Sequence, residues 1–467
     1  MSDPFFPPPP RRRSRGAQGR ARLQDKTSAD EIPGLAVRVA AAAILNDIIG
    51  RSHSLDECFS TAAVVSRLTG FDARDIALAR SIVTVALRRF GTIRHALFAL
   101  LAKGIPRQAP QLEWNLIAAA AQLLFLDVPD HAAVDLAVRA ARLDSKTAPF
   151  APLVNAVLRG LIREREKICA QSDPLDDDTP AWLAARWRKT YGDEVARAIA
   201  AAHRREPTLD VTALANPLSW AERLNAVILP MGSLRLTSHQ PVAELPGFAE
   251  GEWFIQDAAA SLPAKLVAAR PGMKIADLCA APGGKTAQLA ATGAEVIAVD
   301  RSAERLKVLA ANVHRLKLHA EIVVADAVNW RAGPFDAVLL DAPCLSTGTI
   351  RRHPDIAWIK KPRDLETLTR LQARLLDKAI ELVKPGGTIV YSTCSLEPEE
   401  NEMQIASLLR RSPRIERVAI TPQEIGGIPE LLNERGELRT LPSHLPAAES
   451  RLAGLDGFFA ARLLRRA

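Results

Sequence analysis

The hydrophobic pattern changes period near Gly251, and no single fold accommodates what lies on either side of that change. Beyond it, the short apolar runs KIADLCA, EVIAVD, EIVVAD, FDAVLLD and GTIVYST are separated by helix-length segments, which predicts a parallel sheet wound with helices on both faces. Before Cys169 the chain carries helical periodicity alone. AVRVAAAAILNDII, ARDIALARSIVTVALRRF, TIRHALFALLAKG, EWNLIAAAAQLLFL, HAAVDLAVRAARL and PFAPLVNAVLRGLIRE each put apolar residues on one stripe of a 3.6-residue repeat, as an all-helical bundle requires. Between the two, Thr179 and Pro180 supply cap and first-turn signals for one helix, AWLAARWRKTYGDEVARAIAAAH. The strand-like LDVTALAN and SLRLTSH follow, with helix-like AERLNAVIL between them, which suggests a small α+β module.

A chain of 467 residues exceeds one ordinary core, so a multidomain protein is expected. The divisions expected are a disordered Arg/Pro-rich tail at 1–32, a helical domain at 33–169, the small module at 170–255 and the α/β domain at 256–467. Pro7 to Pro10 and the arginines that follow cannot bury enough apolar surface to order that tail. It also lacks the apolar stretch of an export signal, and no apolar run is long enough to span a bilayer. A cytoplasmic chain without a membrane role is the expectation, read as a monomer. Its five cysteines, an odd number without CxxC spacing, argue against both a disulfide framework and a metal site. The net charge of +8 suggests a polyanionic partner such as RNA.

The chemistry-bearing residues fall at strand ends, where ligands of such sheets bind. The first strand runs into Asp277-Leu-Cys-Ala-Ala-Pro-Gly-Gly-Lys-Thr286, whose Gly283 and Gly284 allow close backbone approach before a helix begins. The spacing fits neither a P-loop nor GxGxxG, so an adenosine ligand without a pyrophosphate is preferred. Asp300 ends the second strand, suited to ribose hydroxyls, and Asp326 ends the third, suited to an adenine edge. Asp341-Ala-Pro-Cys344 follows the fourth strand and Tyr391-Ser-Thr-Cys394 the fifth, which brings two thiols to one rim. Carbon 5 of cytosine is a poor nucleophile until a thiolate adds to carbon 6, so a rim thiol has an evident use. Asp341 is suited to the base edge near ring nitrogen 3, and Lys285 or a helix N-terminus to favouring thiolate. Cys58, Cys169 and Cys279 are read as small buried hydrophobes, Cys279 beside the cofactor loop.

The motifs DLCAAPGGKT, DAPCLSTGTIRRHPDI and YSTCSLEPEENE resemble the signatures of the RNA cytosine-C5 methyltransferase superfamily, the Sun/NSUN group. The helical part, with VNAVLRG near its end, resembles the NusB RNA-binding domain, and the likeness extends from about residue 35 to DGFFAARLLRR. The resemblance implies a NusB-like all-α bundle, a small RRM-like module and a Rossmann-type class I methyltransferase domain. It implies S-adenosylmethionine as cofactor, held by the segment Cys279, Ala280, Ala281, Pro282, Gly283, Gly284 and Lys285 and by Asp300, Asp326 and Asp341. It further implies attack by Cys394 and product release assisted by Cys344, with small-subunit ribosomal RNA as substrate because of the domain fusion. Transfer RNA is the alternative within the class. Arg351, Arg352, His353 and Pro354 are read as RNA or active-site contacts, or else as a solvated basic turn. An assembly factor with a vestigial catalytic domain, and a methyltransferase of proteins or small molecules, are the competing classes; neither needs two thiols and four strand-end aspartates.

Overall fold

The computed structural model describes residues 32–60, 68–238 and 240–466, so all but the last position of the expected tail lies outside them. The chain forms two compact units, one running to Ala185 together with Ala357–Ile359, the other comprising Arg186–Ile356 and Lys360–Ala467.

The first unit is helical: α1 (Leu35–Leu45), α2 (Ala73–Arg88), α3 (Phe90–Leu100), α4 (Leu112–Phe125), α5 (Asp130–Arg142) and α6 (Ala151–Gln171). In α2, Ala79, Ile82, Val83, Ala86 and Leu87 are buried at helical spacing, and the Asp72 side chain caps the helix by accepting from Asp75 N at 2.8 Å. The middle of α4 is buried on every side from Leu116 to Leu124, which makes it the central helix. Gly91 is obligatory at the start of α3, because a Cβ there would lie 1.7 Å from Asp177 O. Cys169, expected in a core, is exposed on the last turns of α6, where the bundle no longer covers it.

In the second unit the helix expected as one piece breaks in two. Gly192, at φ 81°, ends α7 (Ala181–Tyr191) and precedes α8 (Asp193–His203), because a left-handed residue cannot continue a helix. A four-stranded antiparallel sheet follows, in the order β2-β3-β1-β4, from β1 (Asp210–Ala213), β2 (Ala226–Ile228), β3 (Leu234–Leu236) and β4 (Trp253–Ile255). Of the helix expected at AERLNAVIL only Ala221–Arg223 is helical, as the end of a helix that begins at Pro217; the rest turns over at Asn225 (φ 47°) into β2, with β-branched Val227 and Ile228.

The main sheet is built from β5 (Lys274–Leu278), β6 (Glu295–Asp300), β7 (Glu321–Val324), β8 (Phe335–Asp341) and β9 (Val383–Thr393). They are parallel in the order β7-β6-β5-β8-β9. It is not the wholly parallel sheet expected: β12 (Phe459–Arg465) lies antiparallel beside β9, and β10 (Ile415–Val418) and β11 (Leu438–Arg439) pair with β12. An antiparallel edge strand on an otherwise parallel sheet is common. Ile275, Ala337, Leu339 and Val390 face one buried layer, Ala276, Val338, Leu340 and Ile389 the other. Burial on both faces is why these strands read as continuous apolar runs. The helix Pro362–Leu382 covers the second face through Leu375, Leu376 and Ala379. The strand order reverses between β5 and β8, which opens a crevice at their carboxyl ends.

Candidate active site

The loop leaving β5 is held open for a ligand by its own backbone. Cys279 takes φ 62°, and Gly283 takes φ 104°, where a Cβ would come within 2.6 Å of Leu309. The helix Gly284–Ala290 starts immediately afterwards. Asp277, fully buried at the end of β5, accepts from Thr286 Oγ1 at 2.6 Å; burial pushes its carboxyl up to about 7, and its Oδ1 has no protein partner. Burial likewise pushes the Cys279 thiol up to about 12, which disfavours its thiolate. Asp300 closes β6 and accepts from Ala281 N at 3.2 Å and from Ser302 N at 2.9 Å, so it also braces the glycine loop. Asp326 is exposed beyond β7, and its carboxylate accepts from Val328 N and Asn329 Nδ2.

A cavity of about 450 Å³ opens beside this loop, lined among others by Phe254, Lys285, Asp341, His353 and Phe458. Asp300 and Asp326 are not among the residues that line it, and neither are Cys344 and Cys394. Lys285 Nζ contacts Asp341 Oδ2 at 2.7 Å, and Ser392 Oγ donates to Asp341 Oδ1 at 2.8 Å. The ammonium also stands 5.1 Å from the Phe458 ring centre.

Fifty residues apart in sequence, Cys344 and Cys394 have their sulfurs 3.5 Å apart, because β8 and β9 are neighbours and both thiols follow their carboxyl ends. Their acidities diverge. A hydrogen bond from Cys344 holds the Cys394 thiol below its ordinary value, against burial and the Asp341 charge, with smaller help from Ser346 and Lys285. The same bond, then burial, raises Cys344. In this pair thiolate is favoured on Cys394 over Cys344.

Arg351 and Arg352 are neither a solvated turn nor an open RNA face. Arg351 binds Asp456 at 2.6 Å and Asp257 at 2.8 Å; Arg352 binds the same two carboxylates at 3.2 and 2.6 Å. Arg351 and both carboxylates are almost wholly buried, and this network pins the Cys344 loop; Arg352 and His353 remain on the cavity wall. Sequence reasoning also passed over Glu400 and Asn401, which are fully buried behind the thiols. The available signal was the acidic run Glu397-Pro-Glu-Glu-Asn-Glu402 next to a motif cysteine, where a solvated face had no evident purpose. Among the described residues no group of three or more His, Cys, Asp or Glu could hold a metal ion, and no helix is long and apolar enough to cross a membrane.

Residues 264–464 match the sequence profile of the family described as 16S rRNA methyltransferase RsmB/F, and residues 35–163 match that of the NusB family. The ribosomal RNA small subunit methyltransferase B of Vibrio cholerae is 35% identical over 408 residues, 84% of this chain and 93% of the relative. That of Xylella fastidiosa is 35% identical over 447 residues, 92% of this chain and 98% of the relative. Among solved structures, a methyltransferase homologue from Pyrococcus horikoshii superposes with a TM-score of 0.50 at 29% identity, covering 61% of this chain and 95% of its own. NSun6 from the same organism, solved with SFG, gives 0.51 at 21% identity, covering 61% and 98%.

Proposed function

The chain belongs to the 16S rRNA methyltransferase RsmB/F family and is an rRNA methyltransferase, and from that premise we propose that it methylates carbon 5 of a cytosine through a covalent bond between Cys394 and the base. The observation that carries the proposal is the pair of sulfurs 3.5 Å apart whose acidities are driven in opposite directions. The Cys394 thiolate adds to carbon 6, forming an S–C bond, while ring nitrogen 3 takes a proton at the edge held by Asp341 and Lys285. The electron pair placed on carbon 5 captures a methyl group, which S-adenosylmethionine supplies as an electrophile. Carbon 5 then gives its proton to the ionised Cys344 or to water, nitrogen 3 gives back its own, and the S–C bond breaks to restore Cys394. Cys344 suits the second half. What raises its pKa most is the neighbouring Cys394 sulfur, and once that sulfur is a thioether the effect is removed. The neutral donor of the first half thereby becomes more acidic and able to assist release.

In this reading Cys279 to Lys285, Asp300, Asp326 and Asp341 hold S-adenosylmethionine, a fit supported by Gly283, Gly284, Lys285 and Asp341 on the cavity wall. The division of labour is a NusB-like RNA-binding domain at 33–169, an RRM-like module at 170–255 and a catalytic domain at 256–467, in a monomeric cytoplasmic enzyme. An assembly factor with a vestigial domain would have no use for an acidified thiol beside a protonated one.

Purified protein given 16S rRNA and methyl-labelled S-adenosylmethionine should put the label into 5-methylcytidine on digestion of the RNA. Label in another nucleoside would refute the C5 assignment. Asp300→Ala should weaken S-adenosylmethionine about ten- to a hundredfold, the effect of one lost charged hydrogen bond. Calorimetric titration of the folded variant measures it, and an unchanged affinity removes Asp300 from the site.

A further inference from the structure

The acidic run after Cys394 has no part in the chemistry above, yet two adjacent members of it each grip a different cysteine loop. Both oxygens of Glu400 lie 3.1 Å from Leu345 N, the residue after Cys344. Glu400 Oε1 also accepts from Gln372 Nε2 at 2.9 Å, and that amide donates to Pro343 O, the residue before Cys344, at 2.9 Å. Asn401 does the same for the other thiol. Its Oδ1 accepts from Thr393 Oγ1, just before Cys394, and its Nδ2 donates to Ser395 O at 2.8 Å, just after it, and to Glu397 O at 2.9 Å. The pair is itself anchored, since Tyr391 OH donates to Glu400 O at 2.6 Å.

We propose that Glu400 and Asn401 are positioning residues, Glu400 for the Cys344 loop and Asn401 for the Cys394 loop, and that their adjacency in the chain sets the separation of the two sulfurs. The proposal rests on the covalent reading of the site. Neighbouring Cα atoms are about 3.8 Å apart across a trans peptide, so two loops bonded to consecutive side chains cannot drift independently. Both side chains are fully buried, and their network ends on all four residues that flank the thiols, Pro343, Leu345, Thr393 and Ser395. A buried amide or carboxylate held by several hydrogen bonds tolerates little change. The cost of drift falls on chemistry, because a misplacement of about 1 Å in a reacting group costs roughly a hundredfold. Since the two thiols act at different times, losing one grip should slow one step.

The full-length variants Asn401→Asp and Glu400→Gln test this with 16S rRNA and labelled S-adenosylmethionine in single-turnover reactions that follow methyl transfer and covalent adduct separately. Asn401→Asp removes the two donors while keeping the shape. It should slow methyl transfer about ten- to a hundredfold without accumulating adduct, with the KM for S-adenosylmethionine little changed. Glu400→Gln turns an acceptor into a donor facing Leu345 N. It should leave methyl transfer nearly intact and slow release by a similar factor, so that methylated RNA stays on Cys394. Thr393→Val and Gln372→Met remove the partner of each bond and should reproduce the two signatures if either first variant fails to fold. Equal slowing of both steps by both kinds of variant, or no change in either step, overturns the proposal. A Cys394→Ala protein that still methylates overturns instead the reading on which it rests.

Discussion

Cys394→Ala should abolish methylation, by at least roughly 10⁴-fold, and Cys344→Ala should leave a methylated RNA bonded to the enzyme. The two failures differ because the thiols act at different times. Without Cys394 no sulfur with a lowered pKa remains beside Asp341 and Lys285, so carbon 5 is never activated. Without Cys344 the attacking sulfur loses the hydrogen bond that lowers its pKa most, so attack slows somewhat but still occurs. Release suffers more, because the group best placed to assist it is gone. A denaturing gel of labelled RNA should show a retarded band for Cys344→Ala and none for Cys394→Ala or the double variant. A band from Cys394→Ala instead would assign the attack to Cys344.

The second large effect is on stability. Asp257 accepts from Arg351 and Arg352 at 2.8 and 2.6 Å with almost no exposure to water, so Asp257→Ala leaves the buried Arg351 with Asp456 alone, a carboxylate it shares with the partly buried Arg352, which also has Asp210 at 3.8 Å. Breaking such a pair from one side costs about 3–5 kcal/mol, because the stranded charge has lost water and partner together. Denaturant titration should show that loss as a lower midpoint at an unchanged slope. Activity should fall as well, since Arg352 and His353 line the cavity. A loss below about 1 kcal/mol would mean that water or a rearranged Asp456 replaces Asp257.

These two effects also mark what was legible in the sequence. The nearness of Cys344 and Cys394 followed from two motifs at the ends of apolar runs, because strands in a wound sheet present their carboxyl ends to one crevice. Asp277, Asp300 and Asp341 could be placed on the same ground. The buried ion network could not, because Arg351 and Arg352 look like a solvated turn until Asp257, 94 positions from Arg351, and Asp456, 105 positions from it, are brought to them. Glu400 and Asn401 were missed for the same reason, since polar residues carry no periodic mark of burial and their partners lie in separate loops. The antiparallel β12 escaped notice because Phe459–Arg465, FAARLLR, carries no strict alternation to mark a strand. Gly192 and Asn225 show the opposite case, in which a turn residue inside a helical pattern was the signal and the pattern around it outweighed it.

The measurement closest to the central claim is mass spectrometry of Cys344→Ala enzyme after reaction with 16S rRNA and S-adenosylmethionine and digestion of both protein and RNA. The account predicts a peptide containing Cys394 that carries a methylated cytidine. Finding that the only modified peptide contains Cys344, or that the enzyme methylates the RNA while no peptide carries a nucleoside, would contradict it.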